Sequence, residues 1–158
     1  MSVSLWRIAN DARDYEADDL SGKGAEISGG RWNRPGLPVV YTASNVSLAC
    51  LETVVHLNSS GLPLNRFLVR IDVPDDVWAA RTILPADELP GGWSAVPEGK
   101  VSLDVGDRWL KGRKTALLGV PSVVVPEEWN VLINPRHPAA KKIKAVKARP
   151  WFYDGRFA

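Results

Sequence analysis

Residues 67–73 (FLVRIDV) place an apolar side chain at every second position, and this alternation constrains the fold more than any other feature. Because successive side chains of a strand point to opposite faces of a sheet, the pattern predicts a half-buried β-strand. Other short apolar runs predict strands at residues 5–9, 38–43, 81–84, 122–125, 130–133 and 151–153. Strands outnumber helices and follow in irregular order, so the sequence predicts an α+β domain rather than a doubly wound sheet.

One buried helix is predicted, with Ser44 or Asn45 as its N-cap and an end near residue 58, before the segment Ser-Ser-Gly-Leu-Pro. Apolar side chains cover most of its circumference. Glu52 is the only acidic residue between Glu26 and Asp72, and it lies at the edge of that apolar surface. An isolated carboxylate in such a place costs free energy unless it is paired or functional.

Two further helices are predicted from capping signals. Asp104 or Asp107 would cap a short one, and Asn134 followed by Pro135 would begin another that carries the basic end of the chain. Residues 136–158 contain seven Lys or Arg against one Asp, while the other 135 residues contain thirteen basic and seventeen acidic ones. The basic end is interpreted as a solvated helix face, with a nucleic-acid-binding surface as the alternative.

Composition excludes several classes of protein. The longest apolar runs fall well short of the roughly 20 residues that a membrane helix needs. The first residues carry no signal-peptide pattern, which favours a cytoplasmic location. Cys50 is the single cysteine, so no internal disulfide can form, and one Cys with two His gives no metal-ligand spacing.

Three side chains form a candidate set for chemistry on a charged nucleotide. Arg31 lies in the turn Gly-Gly-Arg-Trp-Asn, where a planar guanidinium and nearby backbone N–H groups suit a phosphate. Tyr41 ends a predicted buried strand, where its ring could face a cleft. Glu52 supplies the carboxylate. Ser122 begins another predicted strand. It is interpreted either as a polar residue of the site or only as a hydroxyl at the edge of the strand.

Each of these residues also has a purely structural interpretation. Glu52 could pair with His56, one helical turn later. Arg31 could be an ordinary loop residue, and Tyr41 could be core packing. The sequence alone leaves these alternatives open.

Five short motifs together resemble the RES domain family. They are GGRWN at residues 29–33, VYTA at 40–43, LETVVH at 51–56, VPS at 120–122 and NPRHP at 134–138. The resemblance implies one domain over residues 1–158, similar to ADP-ribosyltransferases, with a mixed, mostly antiparallel β core and flanking short helices. It implies Arg31, Tyr41 and Glu52 as catalytic residues. Arg31, Tyr41, Ser122 and, from the opening strand, Arg7 would bind substrate.

The same resemblance implies a biological role. The protein would be the toxin of a toxin–antitoxin pair, inhibited by an Xre-type helix-turn-helix antitoxin through which alone it contacts DNA. NAD would be its substrate, with no cofactor and no metal. Glu52 would stabilise the charge that develops on the ribose, Tyr41 would stack on nicotinamide and Arg31 would anchor the pyrophosphate. Water, inorganic phosphate or a protein side chain could accept the ADP-ribose, so a glycohydrolase, a phosphorylase and a protein ADP-ribosyltransferase all remain open.

Overall fold

A seven-stranded sheet forms the centre of the structure, a computed structural model that describes residues 1–57 and 61–158. Its strand order is β4-β5-β6-β2-β1-β3-β7. The strands are β1 (Ser2–Asn10), β2 (Val40–Ala43), β3 (Arg66–Pro74), β4 (Thr82–Ile83), β5 (Leu117–Pro121), β6 (Trp129–Ile133) and β7 (Lys144–Trp151). The β4–β5 pair is parallel, and the other pairs are antiparallel. The predicted α+β class is confirmed.

The described residues form four short α-helices beside the sheet: α1 (Lys23–Ser28), α2 (Val46–Val54), α3 (Asp75–Ala79) and α4 (Lys100–Gly112). On one face of the sheet, Val77 of α3 packs with Leu5 of β1 and Val69 of β3. On the other face, α2 packs against β1 through Leu48, and α4 packs against β5 and β6 through Leu110. The second face carries Tyr41, which joins the cluster around Leu110.

The strand predicted at residues 122–125 is wrong. The strand lies earlier, at Leu117–Pro121, and Ser122 follows its last residue. The Ser122 hydroxyl accepts hydrogen bonds from the backbone N–H groups of Val124 and Val125, both at 3.1 Å. Because these N–H groups bind a side chain, they are not available to a neighbouring strand, and the chain bends at the valines instead.

Both predicted caps of the shorter helix are also wrong. Asp104 and Asp107 lie inside α4, which begins after Gly99. Arg34 pairs with both carboxylates, at 2.8 Å from Asp104 and 2.6 Å from Asp107. The acidic residues therefore fix the helix to the loop that contains Arg34 rather than capping its first turn.

The predicted basic helix does not form. The Asn134 side chain accepts from Arg136 N at 3.1 Å and donates to Leu110 O at 3.0 Å, and this closes a tight turn. A short 3₁₀ turn at Pro138–Lys142 follows, and β7 then pairs with β3 as the edge strand of the sheet. The edge strand predicted at 151–153 is therefore displaced towards the N-terminus, and the basic residues lie on a strand and a turn.

The buried helix is confirmed with a shorter length. Asn45 caps α2, because its side chain accepts from Leu48 N at 2.8 Å. The helix ends at Val54 rather than near residue 58, and residues 58–60 lie outside the described part of the chain. None of the described helices is both long and apolar enough to cross a membrane.

Candidate active site

The Glu52 carboxylate is held by two side chains from the sheet. Its Oε1 accepts a hydrogen bond from Ser122 Oγ at 2.5 Å and another from Asn130 Nδ2 at 3.1 Å. Ser122 is fully buried, and its oxygen already accepts from two backbone N–H groups, so its single proton is directed to Glu52. The structure thus brings together two of the predicted site residues, Glu52 and Ser122.

Tyr41 lies in β2 with its hydroxyl fixed at both ends. The hydroxyl donates to Asn33 Oδ1 at 2.6 Å and accepts from Trp32 N at 3.0 Å. Burial raises the pKa of the phenol well above its usual value, and the Trp32 N–H opposes that rise. Tyr41 is therefore neutral at physiological pH, and its hydroxyl anchors the turn that carries Arg31.

Arg31 is restrained by a second loop. Its Nη1 donates to the backbone carbonyls of Trp93 at 3.1 Å and Ala95 at 2.8 Å. Beside it, the Trp32 and Trp93 rings stack with centroids 6.3 Å apart and planes 24° from parallel. The guanidinium is thus oriented by protein groups before any substrate binds.

Helix α4 fixes the position of this turn. Gly106 lies so close to the Trp32 backbone that an added Cβ would meet Trp32 O at 1.7 Å. One residue later, the buried Asp107 accepts from Arg34 N at 3.0 Å and pairs with the Arg34 guanidinium. The turn from Gly29 to Arg34 therefore depends on α4 as well as on Tyr41.

Strand register places the Tyr41 and Glu52 groups on one face of the sheet. Tyr41 is paired with Leu132, and Ala43 is paired with Asn130, the residue that contacts Glu52. Tyr41 and Asn130 are consequently diagonal neighbours, roughly 7–8 Å apart. The positive charge of Arg31 is also close enough to oppose the rise in the Tyr41 pKa that burial causes. Arg31 therefore lies near Tyr41, and Tyr41 lies on the same face of the sheet as Asn130, the residue that contacts Glu52.

Arg7 does not join them. It lies in β1 between Trp6 and Ile8, whose side chains pack on the α2 face, so its own side chain is on the opposite face of the sheet. Burial lowers the pKa of its guanidinium, and the negative charge of Asp19 partly offsets this. Alternation along β1 could have indicated this placement, but only with knowledge of which face carries the site.

The residues around Glu52 differ from the sequence-based interpretation at His56 and Asn130. His56 is exposed and forms no hydrogen bond with Glu52, so the proposed Glu52–His56 pair is absent. Asn130 contacts Glu52 but was not predicted from the sequence, because a lone Asn in a strand carries no motif. Only the register of β6 against β2 reveals its place.

A pocket elsewhere on the surface is separate from the contacts of Glu52. A surface pocket of about 140 Å³ is lined by Leu110, Arg113, Asn134 and Arg136 among others, at the far end of β2 and β6 from Asn130. It includes none of the predicted site residues. Over residues 1–57 and 61–158, no cluster of His, Cys, Asp and Glu side chains could hold a metal ion.

Comparisons with known proteins extend the motif resemblance over most of the chain. A model of the RES domain family matches residues 4–154. A Sphingobium protein named Prs ADP-ribosylating toxin is 62% identical over 156 residues, which are 99% of this chain and 97% of that protein. A Pseudomonas putida protein named Toxin Res is 43% identical over 142 residues, 89% of this chain and 90% of its own. Another Toxin Res, from Yersinia enterocolitica, is 37% identical over 155 residues, 98% of this chain and 99% of its own.

Proposed function

This chain belongs to the RES domain family, and we propose that it is a cytoplasmic toxin that breaks the nicotinamide–ribose bond of NAD. The observation that carries the proposal is the Glu52 carboxylate, held on one oxygen by Ser122 and Asn130. Among the described residues, no donor reaches its second oxygen. A preorganised carboxylate of this kind suits a reaction in which positive charge develops on a sugar.

The reaction follows from the charges involved. The bond between the ribose C1′ and the nicotinamide nitrogen breaks, the electron pair leaves with nicotinamide, and the ribose becomes oxocarbenium-like. Glu52 binds a ribose hydroxyl through its second oxygen and stabilises that charge. The Tyr41 hydroxyl is engaged by Asn33 and Trp32, so its contribution is the ring, which stacks on nicotinamide.

Arg31 anchors the pyrophosphate. Its Nη1 is occupied by the carbonyls of Trp93 and Ala95, while Nε and Nη2 have no partner among the described residues. Because a guanidinium can present two parallel N–H groups, the remaining edge suits a phosphate oxygen pair. Because the Arg31 side chain is already fixed before NAD binds, less conformational entropy is lost on binding.

Two substitutions separate these roles. Arg31→Ala is expected to raise KM about 10-fold or more while kcat changes only a few-fold, because a binding contact is removed. Tyr41→Ala is expected to lower kcat and raise KM, since both the ring and the anchor of the Arg31 turn are lost. Steady-state kinetics with NAD measure both effects.

Tyr41→Phe is the matched control for the ring. It keeps the stacking surface and removes the hydroxyl that anchors the Arg31 turn, so KM is expected to rise while kcat stays within a few-fold of the original. An unchanged KM with reduced kcat for Arg31→Ala would show that Arg31 does not anchor the substrate.

The acceptor of the ADP-ribose distinguishes two candidate functions. Transfer to water or inorganic phosphate gives a glycohydrolase or phosphorylase. Transfer to a protein is favoured by one observation, the name of the 62% identical relative, which specifies ADP-ribosylation of Prs. Mass analysis of products formed from NAD in plain buffer, with phosphate, and with purified Prs decides among them. Free ADP-ribose, ADP-ribose 1″-phosphate and modified Prs are the three diagnostic products.

A nucleic-acid-binding function receives less support. Two lysines of the basic end are paired with acids, Lys142 with Asp76 at 3.1 Å and Lys147 with Asp11 at 2.9 Å. The relatives' names and the carboxylate site both favour chemistry instead. We assign contact with DNA to the antitoxin alone.

Control of the toxin requires a separate protein, because an enzyme that consumes NAD would act on its own cell. An Xre-type helix-turn-helix antitoxin that covers the region of Arg31, Tyr41 and Glu52 fits this need. Tryptophans supply little of the docking surface, because Trp129 is the most exposed of the seven at 37%.

Co-expression with the antitoxin is expected to yield a stable complex in which NAD cleavage is suppressed at least ~10-fold, since substrate cannot enter a covered site. Size-exclusion chromatography followed by an NAD assay of the complex provides the measurement. A complex that cleaves NAD as fast as the free toxin would show that the active site is not occluded.

A further inference from the structure

The geometry assigns Asn130 a positioning role: it orients Glu52 so that the second carboxylate oxygen faces the substrate. This inference rests on the proposed function. Asn130 lies in β6, opposite Ala43 of β2 and Val120 of β5, and its Nδ2 donates to Glu52 Oε1 at 3.1 Å. Ser122 Oγ donates to the same oxygen at 2.5 Å. Two donors on one oxygen fix the rotation of the carboxylate as well as its position.

The orientation of the Asn130 amide follows from the chemistry of its partner. An ionised carboxylate only accepts hydrogen bonds, so the amide must present Nδ2 to it. The opposite orientation would place Asn130 Oδ1 against the Glu52 carboxylate, so two acceptor oxygens would meet. Neither N–H of the amide could then donate to Glu52. The charge on Glu52 therefore determines which end of the amide faces it.

This orientation leaves the other end of the amide unsatisfied. Asn130 Oδ1 is buried and has no hydrogen-bond partner in the part of the chain that the structure describes. A buried polar atom without a partner lowers stability, so Asn is a poor choice for packing alone at this position. The cost is explained if the residue is retained for its donor to Glu52.

A merely structural role and a positioning role predict different results for Asn130→Ala. Removing the side chain also removes the unsatisfied oxygen, so the melting temperature is expected to change little. kcat is expected to fall about 10-fold or more with KM within about threefold, because a small displacement of a catalytic group costs rate rather than binding.

Asn130→Asp sharpens the test. Aspartate has the size of asparagine, but it cannot donate when ionised and repels Glu52. It is therefore expected to lower kcat more than alanine does. If Asn130 only filled space, the aspartate variant would be the more active of the two.

Thr42→Val is the matched control. Thr42 is buried in the same β2–β6 pair, donates to Val131 O at 2.7 Å, and lies on the opposite face from Tyr41. Its replacement perturbs the same strands without touching Glu52, so kcat is expected to stay within about threefold. A similar loss in Thr42→Val and Asn130→Ala would overturn the positioning role.

A second readout does not depend on activity. Crystal structures of the wild type and Asn130→Ala are expected to show the Glu52 carboxylate rotated away from its original plane in the variant. An unmoved carboxylate together with wild-type kcat overturns the inference. If the wild type itself cleaves no NAD, the proposed function fails. The position of the Glu52 carboxylate in the two crystal structures then decides by itself whether Asn130 orients Glu52.

Discussion

Replacing Glu52 by Gln is expected to leave a folded protein that cleaves NAD at least ~100-fold more slowly. Glutamine keeps the size of the side chain and an acceptor oxygen for Ser122 and Asn130, so the local contacts survive. The negative charge is lost, and with it the stabilisation of the oxocarbenium-like ribose. Single-turnover kinetics with NAD measure the chemical step directly, and thermal unfolding confirms that the variant is folded.

Glu128→Gln is the control for this change. Its carboxylate accepts from Asn45 Nδ2 at 3.3 Å near the start of α2 and shares no hydrogen-bond partner with Glu52 among the described residues. The same chemical change there is expected to leave the rate within about threefold. Near-normal turnover by a folded Glu52→Gln variant would remove Glu52 from the mechanism.

Replacing Gly106 by Ala is expected to destabilise the protein by about 3 kcal/mol or more, the upper end of the range for overpacking. The added Cβ would lie 1.7 Å from Trp32 O, and a backbone atom cannot move aside as a flexible side chain can. Helix α4 would have to shift away from the turn that carries Arg31. For a chain of this length, the melting temperature is expected to fall by roughly 6–12 °C.

Gly112→Ala tests whether the effect comes from the contact or from the loss of a helical glycine. Gly112 is the last residue of the same helix, and an added Cβ there meets nothing within 4 Å. Alanine favours helix, so this variant is expected to be neutral or more stable by up to about 1 kcal/mol. Equal melting temperatures for Gly106→Ala and the wild type would show that α4 does not rest on the Trp32 backbone.

The sequence predicted the parts of the fold that carry a clear local signal, such as alternating apolar residues or a capping side chain. The alternation around β3 identified that strand, and Asn45 correctly marked the start of α2. Strand β5 was misplaced because all five of its residues, LLGVP, are buried, so no alternation marks it. The valines after Ser122 have the higher strand propensity, but the serine hydroxyl binds their N–H groups and turns the chain.

The candidate site was predictable where one residue stood out in its own segment. Glu52 did so as a lone acid on an apolar helix, and its contact with Ser122 supports the functional interpretation. Asn130 could not be found in this way, because its importance depends on strand register. The local sequence likewise does not predict that Arg31 donates to the carbonyls of Trp93 and Ala95, which lie more than 60 residues away along the chain.

We expect the protein to break the nicotinamide–ribose bond of NAD with Glu52. The most direct measurement is the release of nicotinamide from NAD by the purified protein in an antitoxin-free cytoplasmic extract, where water, phosphate and protein acceptors are all present. The wild type is expected to release one nicotinamide for each NAD lost, at least ~100-fold faster than Glu52→Gln. Nicotinamide release that is the same with the wild type, with Glu52→Gln and with no added protein would contradict it.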